Sequence, residues 1–205
     1  MALKKKIKKF AREYKIEESD ELWLETSLFI NYTEKHPEEF NNFIGELDWS
    51  IQDKLVENEK FLSLSKKIFE NLGEFRNYWT YKFYKDKLIP GILKDSKLVE
   101  EINSISLNIF EEKIRNWDNP WDIADLLQTL KDIDYKELPF LLSKLELELF
   151  EEKIRRWYYY PPFWISKEGA RKYIKELEQV LKDINYPYLN ELKELLKPEG
   201  LWFLD

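Results

Sequence analysis

The sequence predicts an all-α protein, built as two-helix repeats of about forty residues in a short α-solenoid or as a compact helical bundle with an internal duplication. Three observations carry this expectation. The stretch Phe110-Glu111-Glu112-Lys113-Ile114-Arg115-Asn116-Trp117 returns 40 residues later as Phe150-Glu151-Glu152-Lys153-Ile154-Arg155-Arg156-Trp157. Apolar residues recur at intervals of three and four, which is the spacing of one helix face. Helix starts and stops are spelled out by Asn, Ser, Pro and Gly at the ends of those runs.

Leu3, Ile7, Phe10 and Tyr14 form one stripe, so residues 1–16 read as a basic amphipathic helix. Ser19 with Asp20 and Glu21 marks a helix start, and that helix is expected to run to about Lys35. Pro37 at a first helical position opens the next, with Phe40, Phe43, Ile44 and Leu47 facing inward. Ser50 to Asp53 offers a capping box, Asn58 a cap, and Gly73 a left-handed stop. Pro90-Gly91 reads as a break. From Ser96 one helix of about five turns is expected through Leu98, Ile102, Ile105, Ile109, Phe110, Ile114 and Trp117. Asn119-Pro120 caps its partner, which carries Ile123, Leu126, Leu127 and Leu130. A second long helix is expected over 138–157, apolar on nearly every side. Ser166 caps a helix through Leu181, and a last helix holds Leu189, Leu192, Leu195 and Leu196.

The duplication extends to the second helices, where Leu130-Lys131-Asp132-Ile133-Asp134-Tyr135 matches Leu181-Lys182-Asp183-Ile184-Asn185-Tyr186 at an offset of 51. The offset is longer by eleven and the insertion is centred on 158–167, so the aromatic-proline turn there is an elaboration of the second copy. Phe29 and Phe69 extend the forty-residue spacing backwards. Two helices in a period near forty resembles the HEAT and armadillo solenoids, in which each unit buries its apolar face only against its neighbours. The chain departs from those families in having four alanines and large aromatics in its helices. Residues 1–205 are expected as a single helical domain: a basic helix 1–16, an acidic helical half 17–96, duplicated hairpins 97–196 and an apolar tail 197–205.

Net charge is -7 and is unevenly spread. Residues 1–15 carry seven cations against Glu13, whereas 16–60 carry thirteen acids against three lysines. An acidic body opposes extended phosphate-backbone binding, which needs clustered Lys and Arg. With no cysteine there are no disulfides or thiolate metal sites. Abundant Lys and Glu with few Gln resembles the composition shift of thermophile proteins. Neither a run long enough to span a membrane nor a secretory signal is legible, and the cytoplasm is the expected compartment.

No catalytic, cofactor or metal site is expected. His36 is the single histidine, the five glycines are scattered, and the glutamate pairs Glu111-Glu112 and Glu151-Glu152 stand four residues before Arg115, Asn116, Arg155 and Arg156, the spacing of helix ion pairs. A carboxylate-bound dimetal site would need a Glu-x-x-His pair, so a metal-dependent enzyme is the weakest reading. The unusual stretch is the aromatic turn of Trp157, Tyr158, Tyr159, Tyr160, Pro161, Pro162, Phe163 and Trp164. Aromatic clusters dominate protein interfaces and can also stack bases. Together with Trp202 and Phe203 of the tail, these aromatics are the expected protein-binding residues, and the tail offers a route to homo-oligomers. The functional expectation is a non-enzymatic interaction module, an accessory or inhibitory subunit of a larger, nucleic-acid-processing complex in a thermophilic archaeon or its virus. The alternative is nucleic-acid or anionic-surface binding by Lys4, Lys5, Lys6, Lys8, Lys9 and Arg12, helped by the aromatic turn.

Overall fold

Every regular element is helical in the computed structural model, which describes residues 21–73, 75, 78–163 and 165–203. The basic segment 1–16 and Trp164 lie outside the described residues. The chain divides into two compact units between Ile105 and Ser106.

In the first unit, α1 (Glu21–Lys35) packs against α3 (Trp49–Val56), with α2 (Phe40–Phe43) between two 3₁₀ turns, Pro37–Glu39 and Ile44–Glu46. Then come α4 (Glu59–Leu62), α5 (Ser65–Glu70), α6 (Tyr78–Phe83), a π-helical turn (Tyr84–Leu88), α7 (Ile89–Ile92) and α8 (Ser96–Asn103). Phe40 sits at the centre of the core, its ring 5.8–6.0 Å from those of Phe29, Phe61, Phe83 and Tyr84. Aromatic edges and faces attract at such separations in addition to the area they bury. The hydroxyl of Tyr84 donates to Asn41 Oδ1 at 2.8 Å, and Asn41 Nδ2 donates to the carbonyl of Gly73 at 2.6 Å. That relay satisfies polar groups which would otherwise be costly to bury.

Three local expectations fail in this unit. Gly73 is not left-handed; its carbonyl is held by Asn41 instead of closing a cap. The capping box at Ser50 does not form, because α3 begins earlier with Asp48 as its N-cap and Asp53 pairs with Lys87. Pro90-Gly91 does not break the chain. Proline removes a donor and crowds the preceding turn, and the π turn, closed by Ile89 N–H to the Tyr84 carbonyl, widens the helix just before it. Gly91 is closely packed: a Cβ there would stand 3.2 Å from Leu62 Cδ2, tighter than an ordinary van der Waals contact.

The second unit holds α9 (Leu107–Asn116), α10 (Pro120–Asp132), α11 (Leu138–Lys144), α12 (Leu147–Tyr159), α13 (Lys167–Asp183) and α14 (Leu189–Leu196). Its most extensive packing is α10 on α13; α9 also packs on α11, and α12 on α13 and α14. Both long helices expected from the sequence are split. The first breaks at Ser104-Ile105-Ser106 into α8 and α9, the second at Leu145-Glu146 into α11 and α12. Ser104 Oγ donates to the Glu101 carbonyl, and Ser106 adopts extended backbone. Short hydroxyl side chains compete with the helix ladder in this way. Leu145 is likewise extended, and both Ile105 and Leu145 are buried. Periodicity saw the apolar residues but not the interruption of the helix at them.

Two segments matched in sequence share their local geometry. Asp134 and Asn185 are both left-handed, at φ 53° and 55°. In each case the next N–H reaches back to a helix carbonyl, Tyr135 to Leu130 and Tyr186 to Leu181, both at 2.9 Å. This is the Schellman cap. Each tyrosine then packs edge-on against its phenylalanine, Tyr135 on Phe110 at 5.2 Å and Tyr186 on Phe150 at 5.0 Å. Caps expected at Asn58, Asn119 and Ser166 all form, with their side-chain oxygens accepting from Phe61, Trp121 and Gly169.

Candidate functional site

The aromatic stretch is divided between a helix end and a turn. α12 runs to Tyr159, and Tyr160, which precedes Pro161, leaves helical geometry at φ -130° and ψ 56°. A residue before proline is pushed out of the α region, which ends the helix there. Tyr158 and Tyr159 therefore lie with Trp157 on the last turn of α12 and not in the loop, a correction to the expected helix end at 157. The loop itself is closed by the Ile165 N–H on the Pro162 carbonyl at 2.8 Å, with Phe163 at its tip.

The aromatics form a graded series from core to solvent. Trp157 is buried, 5% exposed, with its ring 6.1 Å from that of Tyr173, which stacks on Trp121 at 5.2 Å. Tyr158 is half-buried: Arg171 lies 5.6 Å over its ring and donates to its hydroxyl at 3.2 Å. Tyr159, Tyr160 and Phe163 are 49%, 82% and 98% exposed. Isolated exposed apolar residues are common on proteins. Three aromatics within five residues, at a loop the first copy lacks, form a patch.

The tail supports this site from below. Leu201 is buried, its N–H on the Leu196 carbonyl at 3.0 Å. The Phe203 N–H donates to the buried carboxylate of Glu178 at 3.0 Å, and the Phe203 ring stands 6.1 Å from that of Tyr158. Trp202 and Phe203 are half-buried, and the indole Nε1 of Trp202 is enclosed without an acceptor among the described residues. Leu201, Trp202 and Phe203 thus fold back on their own unit. Arg155 binds Glu151 at 2.9 Å and also Glu199, which accepts from the Tyr159 hydroxyl at 3.3 Å. The hydrogen bond from Arg155 holds the Glu199 carboxyl below the usual range. Burial, followed by the bond to Glu199, raises the Tyr159 phenol.

Of the expected ion pairs at spacing four, Glu111 pairs with Arg115 at 3.0 Å and Glu151 with Arg155 at 2.9 Å, whereas Arg156 pairs with Asp118 at 2.8 Å and not with Glu152. Among the described residues no group of three or more His, Asp and Glu is placed to hold a metal ion. His36 packs its ring 4.8 Å from Tyr32 and lies 3.6 Å from Glu38. A depression of about 310 Å³ on α9 is lined by Asn108, Glu111, Glu112, Arg115 and Asn116, and it is open to solvent, unlike the enclosed apolar clefts that hold small molecules. Among the described residues no helix is long and apolar enough to cross a membrane. Lys4, Lys5, Lys6, Lys8, Lys9 and Arg12 lie outside the described residues.

Two features were not singled out from the sequence. In the first unit the half-exposed indoles of Trp49 and Trp79 meet edge to face at 5.8 Å, with Lys87 Nζ 4.7 Å from the Trp49 ring. In the second, Lys167, Arg171, Lys172 and Lys175 are all exposed at the start of α13, directly after the aromatic loop. Their spacing of four was the available signal. No family model, curated protein or solved structure matches this chain.

Proposed function

We propose that this chain is a non-enzymatic, helical protein-binding module whose contact surface is the aromatic end of the second unit. The observation that carries the reading is the exposure of Tyr159, Tyr160 and Phe163 beside a buried Trp157 and the half-buried Tyr173 that packs on it. A rigid base with projecting rings is the anatomy of an interface anchor, because aromatic residues on an ordered support lose little entropy on binding. The loop is absent from the first sequence copy, so a contact role accounts for it better than packing does.

The scaffold beneath it reads as a duplicated helical unit, extended here from two helices to three: α9 to α11, then α12 to α14. The matched caps at Asp134 and Asn185 and the matched tyrosine–phenylalanine pairs support the duplication. An accessory or inhibitory subunit of a larger assembly is the role that such a scaffold with one projecting patch would suit.

The test is retention of proteins from a lysate by the immobilised full chain, compared with a Tyr160→Ala, Phe163→Ala double variant of equal melting temperature. A protein held by the wild type at stoichiometric ratio and lost by the variant supports the reading. Identical retained sets would reject it. Size-exclusion with light scattering on the same two proteins separates a foreign partner from self-association.

A further inference from the structure

We propose that the segment gripped by the aromatic end is acidic, and that its carboxylates lie along the exposed cations Lys167, Arg171 and Lys175, with Lys172 beside them. The inference rests on the protein-binding reading of the same patch and names the chemistry of its partner.

Charge in the second unit is segregated. Residues 106–205 carry fifteen Lys and Arg against twenty Asp and Glu. Within residues 167–175, however, four cations stand against Glu168 alone, a local balance of +3 in a region that is otherwise -8. Lys167, Arg171 and Lys175 recur at intervals of four, so they form a row down one side of α13, with steps of about 6 Å at 1.5 Å per residue. Lys167 and Lys175 make no ion pair among the described residues, and Lys172 reaches Glu176 only at 3.9 Å. Lys167 also occupies the first turn of α13, where the helix dipole disfavours a cation. Its placement there lacks an intramolecular reward.

The row begins four residues after Phe163, and Arg171 joins the two features because its guanidinium lies over the Tyr158 ring. An apolar anchor flanked by exposed charges of one sign selects an apolar partner flanked by charges of the other. A helical partner with glutamates four apart would present carboxylates at the same steps as the cations of α13. A nucleic-acid strand is the less favoured occupant. Its phosphates continue past any four cations, and the rest of this unit would repel them.

The test uses the full chain and a labelled synthetic peptide of leucine, alanine and glutamate with glutamates four residues apart. The controls are the same peptide with lysine for glutamate, and oligo(dT). The expected result is binding of the glutamate peptide alone, weakening with added salt. Reversal by Lys172→Glu with Lys175→Glu should loosen it by at least about tenfold, on the scale of rim and interface charges. Phe163→Ala is read separately, because it reports the aromatic reading and not the charge. Loss with Phe163→Ala but no change on charge reversal would leave the reading standing and overturn the acidic partner. Absence of glutamate-peptide binding, equal binding of the lysine peptide, or binding of oligo(dT) that disappears in the charge-reversed variant would each overturn it as well.

Discussion

Asp134 and Asn185 stand 51 residues apart and turn the chain the same way, each in the left-handed region at the end of a helix. Only glycine, and to a lesser extent Asn and Asp, occupies that conformation at low cost. We expect Asn185→Ala to lower stability by about 1 kcal/mol, and Asn185→Gly to leave it unchanged or raise it. Urea denaturation midpoints of the two variants decide this; equal loss in both would mean that the side chain and not the backbone is what matters.

The exposed aromatics should be dispensable for folding and the buried ones should not. Phe163→Ala and Tyr160→Ala are expected to keep the wild-type melting temperature. Trp157→Ala, which empties a buried site beside Tyr173, should cost about 3–5 kcal/mol. Calorimetry on the three variants is sufficient. A large drop for Phe163→Ala would show that the loop tip is structural.

Leu201 fills a buried site and Phe203 bonds to Glu178, so the tail should belong to the fold. A chain ending at Gly200 is expected to be destabilised by several kcal/mol, and Leu201→Ala by about 2–5 kcal/mol. Light scattering should give the truncated chain the same mass per particle as the full chain. A shift to smaller particles would mean that the tail joins copies together.

Lys153 is buried and donates to the carbonyls of Arg115 and Trp117, at 3.1 and 2.6 Å, where α9 ends. Desolvation holds its ammonium below the usual lysine range. Lys153→Met fills the same volume but removes the ammonium donor from both carbonyls, and is expected to cost about 1–3 kcal/mol. Thermal unfolding of Lys153→Met and Lys153→Arg separates the hydrogen bonds from the volume, since arginine can restore donors.

Alkaline pH should unfold the protein through its tyrosines. Burial pushes the Tyr135 phenol up to about 12, and Tyr84 and Tyr186 are raised for the same reason. Below pH 10, the ordinary phenol value, both states keep the Tyr135 proton and its contribution is complete. From pH 10 to about 12 the unfolded chain gives up that proton while the folded chain retains it, so stability falls as pH rises. Denaturant midpoints at pH 8 and 11 should therefore differ for the wild type, and less so for Tyr135→Phe. An unchanged pH dependence in Tyr135→Phe would assign the alkaline loss elsewhere.

Helical class, most helix starts and most of the core were legible in the residues. Asn58, Asn119 and Ser166 announce their caps because a short side-chain oxygen beside a helix start can serve the first free N–H groups with no help from distant residues. The pairs of Glu111 with Arg115 and Glu151 with Arg155 were legible for the same reason: one turn of helix brings them together. The forty-residue spacing likewise named Phe29, Phe69, Phe110 and Phe150, all fully buried.

Tertiary structure decided what local rules leave open. Leu145 continues an apolar pattern whether the helix passes through it or turns there, and only the neighbours it packs against choose the turn. Gly73 lost its capping role to Asn41, 32 residues away, and Pro90 was absorbed by a π turn where sequence suggested a break. The division of the aromatic stretch was also a tertiary outcome. Trp157 is buried with Tyr173, itself stacked on Trp121, packed against it, whereas Phe163 is 98% exposed at a loop tip. Hydrophobicity per residue is the same currency in both cases, but burial depends on which surfaces the rest of the chain brings within reach. By itself the sequence determined the helices and their inward faces; the fold determined which aromatics remain available to a partner.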